Sequence, residues 1–559
     1  MMLSMQWVLK SQKIPQSQSE LLEILLVNRR LLKKKEKDEF LSPRSPLHFT
    51  PKDVGIDEKQ LAHAVSLIQE AKQKKWKVIV FGDYDCDGIC ATTVLWETLY
   101  EMGIHAMPFI PSRDRHGYGL SMAAIDDILA DPSQKPQLLI TVDNGIVAHE
   151  PFARLKKEGI RTILTDHHQP EKKLPPVDAL VHTTQLCGTT VAWMLVHALN
   201  PKKAAEMLDL CAIATIADQV PLLNANRSFA KFGIQALQKT QRLGLKMLMQ
   251  ISGLQQDKLD THAINYGIVP RINAMGRIGD PKDALRLLCS KKLEKIQPLV
   301  SAIQGINMTR QDMTMKMVEH ARTQQSTWIN EHIIIVDSEE YHEGVIGLIA
   351  GKLAEEFAKP AIAISRGKMT AKGSARSLPG INITELLRQI RDDLLDVGGH
   401  PMAAGFSLLT EKIEIVRTRL MKLAKEQIKK NLLVKSFNVD CELPWELVTL
   451  NTAELLEQFE PHGMENPQPA FLLKNMKIVA ARAMGKENAH LKLTLQPADR
   501  RETIPLQAIA FGKGEKSEEF ILGKIVNILC TLQQNWWNGK VELQGIVKAF
   551  MDAFDEKVA

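Results

Sequence analysis

A chain of 559 residues exceeds the roughly 250–300 at which one hydrophobic core stops growing, so several domains are expected. With 45% hydrophobic and 24% charged residues the composition is globular, which excludes fibrous and disordered classes; the most apolar stretch, 186–199, is too short to span a membrane and carries His197. The net charge of +6 allows an anionic partner without requiring one, and seven scattered cysteines with no C-x-x-C pair exclude a disulfide scaffold.

In chain order, residues 1–49 are polar and basic, with Arg29, Arg30 and Lys33 to Lys35, and read as a helical segment whose charge run is a solvated face, with a nucleic-acid contact as the alternative. They lack the pattern of a signal peptide, so a cytoplasmic location is expected. Residues 50–295 read as an α/β domain, because from Trp76 to Asp218 short apolar runs alternate with helical patterns, as in βαβ units around a parallel sheet. VIVFGD, LLITVDNG and TILTDHH are its clearest strands, and each ends in aspartate or histidine at the edge where ligands gather. Residues 296–330 have helical spacing and no proline beyond Pro298, which predicts a long connecting helix. A smaller α/β domain follows over 331–435, with IIIVDS and AIAIS as strands and GVIGLIAGKLAEEF as a helix. Over 436–559 the period becomes two, in HLKLTLQP, IPLQAIAFG and KVELQGIV, which predicts a small β-barrel or sandwich.

The segment Gly82-Asp83-Tyr84-Asp85-Cys86-Asp87-Gly88 places three carboxylates on alternate residues after an apolar strand. Extended geometry sends all three to one side, where their repulsion calls for a hard divalent cation; an acidic surface turn is the plain alternative. Asp143 closes the next strand before Asn144-Gly145, a pattern that also makes simple turns. Asp166-His167-His168 closes a third, and neighbours on a strand point opposite ways, so one histidine is expected to bind metal and the other to face substrate. Asp218 ends the helical run 208–217, where its charge opposes the helix dipole unless a cation compensates it. Four acid-bearing element ends in one α/β unit predict a metal centre built from Asp83, Asp85, Asp87, Asp143, Asp166, His167, His168 and Asp218. Mixed Asp/His ligation suits Mn²⁺ or Mg²⁺ better than structural zinc. Two such ions polarise a phosphoryl group and activate water, so phosphoester hydrolysis is the expected chemistry.

These motifs in this order resemble the DHH phosphoesterase superfamily, and the fuller set resembles its RecJ-type branch of single-strand-specific 5′→3′ DNA exonucleases. That set adds RDRHGYGL at 113–120, PRINAMGR at 270–277, HEGVIG at 342–347, GSARS at 373–377 and GGHPMAAGF at 398–406. The resemblance implies Asp85, Asp87, Asp143, His167 and Asp218 as ligands of two Mn²⁺ or Mg²⁺ ions, with Asp143 bridging, Asp83 and Asp166 supporting, and His168 on the scissile phosphate. It implies a DHH-associated (DHHA1-type) domain over 331–435, whose Arg376 and His400 hold phosphates across the cleft. Arg113, Arg115, Tyr118, Asn273, Arg277 and Ser374 are further substrate-binding candidates. Gly373 and Gly398-Gly399 allow close backbone approach, and arginine offers bidentate contacts. PHGMENPQPAF at 461–471 and NWWNG at 535–539 resemble the OB-fold of the same branch; Trp536 and Trp537 are adjacent on a strand, so one of them is expected in the core. Two departures stand out. The segment 181–188 is shorter than the Asn-Pro-containing one usual in the family, and Tyr341 precedes HEGVIG where tryptophan is common.

The implied function is a metal-dependent, monomeric exonuclease that degrades single-stranded DNA from the 5′ end to mononucleotides in repair and recombination. A helicase and a single-strand-binding protein are the partners it implies. The competing readings are a phosphodiesterase acting on short oligonucleotides, cyclic dinucleotides or pyrophosphate, and a non-catalytic nucleic-acid-binding scaffold. The intact acidic motifs oppose the scaffold, and the extra C-terminal domain opposes a tiny substrate.

Overall fold

The computed structural model describes residues 5–500, 503–537 and 539–553, from β1 (Met5–Leu9) to β18 (Lys540–Asp552). The first sheet consists of β2 (Val78–Phe81), β3 (Ala106–Phe109), β4 (Leu138–Val142), β5 (Arg161–Asp166) and β6 (Ala179–His182). All neighbours run parallel, in the order β3-β2-β4-β5-β6. Every position of β4 is buried, as a strand covered on both faces requires. The chain leaves β2 for β3 on one side and returns to lay β4 on the other. The winding therefore switches between β2 and β4, the crevice where open α/β sheets bind ligands, and Asp83 and Asp143 follow those two strands.

The connecting helix spans Leu293–Thr323 rather than 296–330, and a short 3-10 turn, Gln325–Thr327, takes over where the expected helix would have continued. Beyond it, β7 (Ile334–Ser338), β8 (Ala361–Arg366), β9 (Thr370–Arg376), β10 (Asp396–His400) and β11 (Ala403–Leu409) form a sheet in the order β10-β11-β9-β8-β7. Only β7 and β8, joined through the helix Ile346–Phe357, are parallel. The rest pair antiparallel.

The C-terminal alternation closes into a barrel rather than a sandwich. β14 (Phe471–Met484), β15 (His490–Pro497), β16 (Leu506–Ala510), β18 and β17 (Ile525–Trp537) pair in that order, and β17 returns to β14. Residues of β15 alternate between half-buried and buried, the period-two pattern of a barrel wall.

The N-terminal segment departs from a solvated helical arm. β1 pairs in parallel with β12 (Lys435–Val439), and Leu21, Leu25 and Phe40 share one core with Leu456, Phe459 and Phe471. Arg29 is only 5% exposed; it donates to Asn466 Oδ1 at 2.6 Å and to the Pro467 carbonyl at 2.7 Å, with Asp440 at 3.8 Å. Arg30 and Lys33 to Lys35 do face solvent. Arg227, on the helix Asn224–Leu237, is fully buried and donates to the carbonyls of Phe40, Gln458, Phe459, Glu460 and Pro461 at 2.7–3.4 Å. It ties the parallel-sheet unit to both the N-terminal segment and the approach to the barrel. No helix among the described residues is long and apolar enough to cross a membrane.

Candidate metal centre and facing arginines

The three alternating carboxylates do not share a strand. β2 stops at Phe81, and Asp85 is already the N-cap of the helix Cys86–Glu101, its side chain accepting from Gly88 N at 3.0 Å. Once the chain turns helical, successive residues rotate about 100° and the one-sided geometry is lost. Asp83 and Asp87 point inward, 1% and 3% exposed, whereas Asp85 is exposed. Asn273, from the helix Val269–Ile278, accepts from Cys86 N at 2.8 Å and fixes this turn from outside.

Asp87 receives two amides from another helix start, Gly188 N at 2.7 Å and Thr189 N at 2.8 Å. The connection after β6 therefore delivers the N-terminus of Gly188–Leu199 to the acidic centre, where an anion is favoured. Asp143 has φ +62°, a left-handed conformation that aspartate tolerates better than most residues, and is 2% exposed. Asp218 caps the end of Leu208–Ala217, as expected.

His167 joins these carboxylates. Its Nε2 lies 3.2 Å from Asp143 Oδ1 and 3.9 Å from Asp87 Oδ2, and its Nδ1 lies 3.7 Å from Asp218 Oδ2. Two overlapping groups have ligand atoms all within 4.8 Å of one another, Asp87–His167–Asp218 and Asp143–His167–His168; Asp85 lies in neither. The two histidines do not diverge, because both follow the end of β5; their ring centroids are 4.4 Å apart. Their partners nonetheless differ. His168 Nδ1 donates to Asp166 Oδ1 at 2.8 Å, and its Nε2 shares a hydrogen bond with the Tyr118 hydroxyl at 3.0 Å.

Burial and the charge of Asp87 push the Asp143 carboxyl well above its usual range, and the same two causes lift Asp218. Burial and the charge of Asp85 raise Asp83 to about 8. Burial keeps His167 below its ordinary value, in the neutral form that ligates metal. For His168 burial is outweighed by the Asp166 hydrogen bond and charge, and the imidazole is raised to about 9. Asp166 stays below its ordinary value because its bonds to His168 and Ile146 N outweigh burial. Carboxylates crowded in this way ionise together only with a cation among them. Asp143 Oδ1 is buried, accepts no hydrogen bond and faces an imidazole nitrogen, so the oxygen-rich donor set fits a hard divalent ion.

Around this centre stand Arg113 and Arg277 from the same unit, Arg310 from the connecting helix and Arg376 from the second lobe, none with a carboxylate partner among the described residues. Arg113 stacks its guanidinium 4.6 Å over the Tyr84 ring. Arg277 donates to the Gly344 carbonyl at 3.1 Å and so joins the two lobes; burial, then the charges of Arg113, Arg376 and Arg310, push it down to about 10. Arg376 donates to Ser374 Oγ at 3.2 Å, and Gly347 leaves it room, since a β-carbon there would lie 2.9 Å from the guanidinium. His400 is opposite Ala403, which is opposite Arg376, so both side chains leave the same sheet face about 10 Å apart. His400 is exposed and makes no described side-chain contact. Arg115 is not brought to the cleft: it is 70% exposed and paired with Asp127 at 2.5 Å, because it lies two positions from Arg113 on a helical turn.

Arg310 was not singled out by the sequence. With Asn273, Arg277, Gln219 and Ala217 it lines a cavity of about 350 Å³ beside Asp218, and its Nε is buried without a partner. Its only sequence signal is position on a helix that reads as a linker. Trp536 is 69% exposed, and the Trp537 side chain lies outside the described residues.

Comparison with known proteins covers the same three units. The DHH family, N-terminal domain, matches residues 77–215, the DHHA1 domain 330–430 and the RecJ OB domain 439–549. The single-stranded-DNA-specific exonuclease RecJ of Bacillus subtilis is 35% identical over 546 residues, covering 95% of this chain and 69% of the relative. That of Thermus thermophilus is 31% identical, over 87% of this chain and 71% of the relative. The crystal structure of RecJ from Thermus thermophilus in complex with Mn²⁺ superposes with a TM-score of 0.81 at 28% identity, covering 98% of this chain and 80% of that one. Its complex with Mg²⁺ gives 0.74 at 27% identity, over 98% and 78%. The expected α/β domains, barrel and divalent-metal chemistry accord with these likenesses. Because the sequence identity persists through both lobes and the barrel, rather than through the acidic motifs alone, the chain belongs to the RecJ family.

Proposed function

We propose that this chain is a Mn²⁺- or Mg²⁺-dependent exonuclease that degrades single-stranded DNA from its 5′ end to mononucleotides, in the cytoplasm, during DNA repair and recombination. The observation that carries it is the meeting of opposite charges at one site: a buried Asp/His cluster beside four arginines without carboxylate partners, Arg376 reaching in from the second lobe. The substrate class follows from the relatives, which are named single-stranded-DNA-specific exonucleases.

Asp85, Asp87, Asp143, His167 and Asp218 are the residues that would hold the divalent ions. Bound there, the ions supply Lewis-acid polarisation of the phosphoryl group and activation of water. Asp83 and Asp166 keep the ligand-bearing turns in place. His168, cationic through Asp166, presents Nε2–H to the scissile phosphate. Arg113, Tyr118, Asn273, Arg277, Ser374, Arg376 and His400 hold the terminal phosphate and first nucleotide. Hydrolysis breaks the bond between phosphorus and the 3′ oxygen of the terminal nucleotide. The shortened strand keeps a 5′ phosphate, so each turnover regenerates the anion that the arginines recognise.

Residues 50–295 supply the chemistry, 331–435 hold the phosphate and 436–559 bind the strand. The enzyme acts as a monomer, and a helicase and a single-strand-binding protein are the partners such an activity calls for. The test is to incubate the protein with end-labelled single- and double-stranded DNA, with Mn²⁺, Mg²⁺ or chelator, and to repeat it with Asp143→Ala. Release of mononucleotide from only the 5′ end of single strands is expected. Undiminished cleavage with chelator, or by the variant, overturns the mechanism.

A further inference from the structure

Three cavities run one into the next from the barrel to the metal centre. The largest, about 950 Å³, lies between barrel and catalytic unit and is lined by Lys231, His262, Phe511, Gln533 and Lys548. It shares His262 with a second cavity of about 260 Å³, which adds Tyr266, Asn265 and Gln219. Asn265 and Gln219 also line the third, the cavity of Asn273, Arg277 and Arg310 beside Asp218.

At the junction of the first two, the rings of His262 and Tyr266 lie with centroids 4.5 Å apart, tilted by 32°. Tyr266 is 68% exposed, and its hydroxyl makes no hydrogen bond among the described residues. A tyrosine left in water contributes little to folding, so its ring is available to something else. The backbone beneath is also unusual. Ile264–Ile268 is a π-helical turn, a form concentrated at functional sites, set between Thr261–Ala263 and Val269–Ile278. The latter helix carries Asn273 and Arg277, so Tyr266 stands about 10 Å along the axis from Asn273 in fixed register.

The charges agree. Lys231 and Lys548 have no carboxylate partner among the described residues, and burial holds both below the usual lysine value. Glu457, Glu460 and Asp260 also line the large cavity, but Asp260 is occupied in capping Ala263 N at 2.7 Å, and burial lifts Glu460 toward its neutral form.

We propose that the His262–Tyr266 pair is a base-stacking platform that holds one nucleotide of the single strand midway between the barrel and the metal centre. This rests on the exonuclease reading and adds the route the strand takes. Stacking on an aromatic side chain tolerates any base, as a nuclease without sequence preference needs.

The test uses single strands carrying 2-aminopurine at successive distances from the 5′ end, bound to the full chain in chelator. One position is expected to show quenched fluorescence with the wild type. The quench is lost in Tyr266→Ala, weakened in His262→Ala and restored in Tyr266→Trp. With metal, KM for long single strands rises about five- to a hundredfold in Tyr266→Ala. The melting temperature stays near that of the wild type, which a purely structural role would not allow. If the wild type degrades single strands while Tyr266→Ala keeps both quench and KM, the platform is overturned and the exonuclease reading stands. If the wild type degrades no single strands, the exonuclease reading falls and takes the platform with it.

Discussion

A β-carbon on Gly188 would lie 2.2 Å from Asp143 Oδ1, closer than real atoms approach. Gly188 also donates its amide to Asp87 at 2.7 Å, so the residue is wedged between two carboxylates of the metal centre. Gly188→Ala therefore has to displace Asp143. An activity loss of about a hundredfold is expected, the scale of a 1 Å misplacement. Single-strand degradation at saturating Mn²⁺ checks it, with circular dichroism to verify the fold; wild-type activity would show that the centre tolerates the shift.

Asp143 should be a burden to the metal-free protein, since burial and Asp87 oppose its ionisation. In chelator, Asp143→Asn is expected to melt a few degrees above the wild type, on the order of 1 kcal/mol. Adding Mn²⁺ at a hundred times its Kd stabilises the wild type by about 2.7 kcal/mol and the variant far less. Calorimetry with and without metal reads both, and a metal-free variant less stable than the wild type would contradict the charge argument.

Arg376 and Arg115 should separate cleanly. Arg376 shares the cleft with Ser374 and lacks a carboxylate partner, whereas Arg115 spends its charge on Asp127 at the surface. Arg376→Ala is expected to lower kcat/KM on 5′-phosphorylated strands about ten- to a hundredfold. Arg115→Ala should change it by about a factor of two or less. Steady-state kinetics on matched strands decides, and equal losses would put Arg115 back in the substrate site.

Arg227→Met removes the donor to five buried carbonyls while keeping much of the volume. A loss of about 3–5 kcal/mol is expected. Thermal melting measures it, and limited proteolysis should report earlier cleavage between the parallel-sheet unit and the barrel.

His462 supplies the clearest pH dependence away from the metals. Burial, then Arg29 and Arg227, push its imidazole down to about 3. The unfolded chain takes up this proton near pH 6.5, whereas the folded chain does so only near 3. Stability from this group is therefore full above about 6.5 and falls as pH drops, by about 1.4 kcal/mol per unit. His462→Gln should flatten the decline between pH 6.5 and 5; parallel melting curves for variant and wild type would refute the assignment.

The parallel sheet was legible because its strands are short apolar runs ending in acids, and the barrel because its strands alternate with period two. The Asp83–Asp87 turn was half legible. Alternating aspartates imitate a strand, but Asp85 followed three residues later by Gly88 is equally an N-cap, and the backbone took that course. The buried roles of Arg29 and Arg227 left no pattern, because most of their partners are main-chain oxygens some two to four hundred residues away. Arg310 stayed hidden for a different reason: a helix that joins lobes also lines the cavity between them.

The Arg227 clamp bears on how such an enzyme advances. A guanidinium held by carbonyls from two distant parts of the chain opposes hinging at that seam, which favours a barrel that keeps its station while substrate is consumed. With that seam held, translocation would fall to the polymer, slipping past a stationary gauge after each cut, and the interval between grip and blade would stay constant from one cycle to the next.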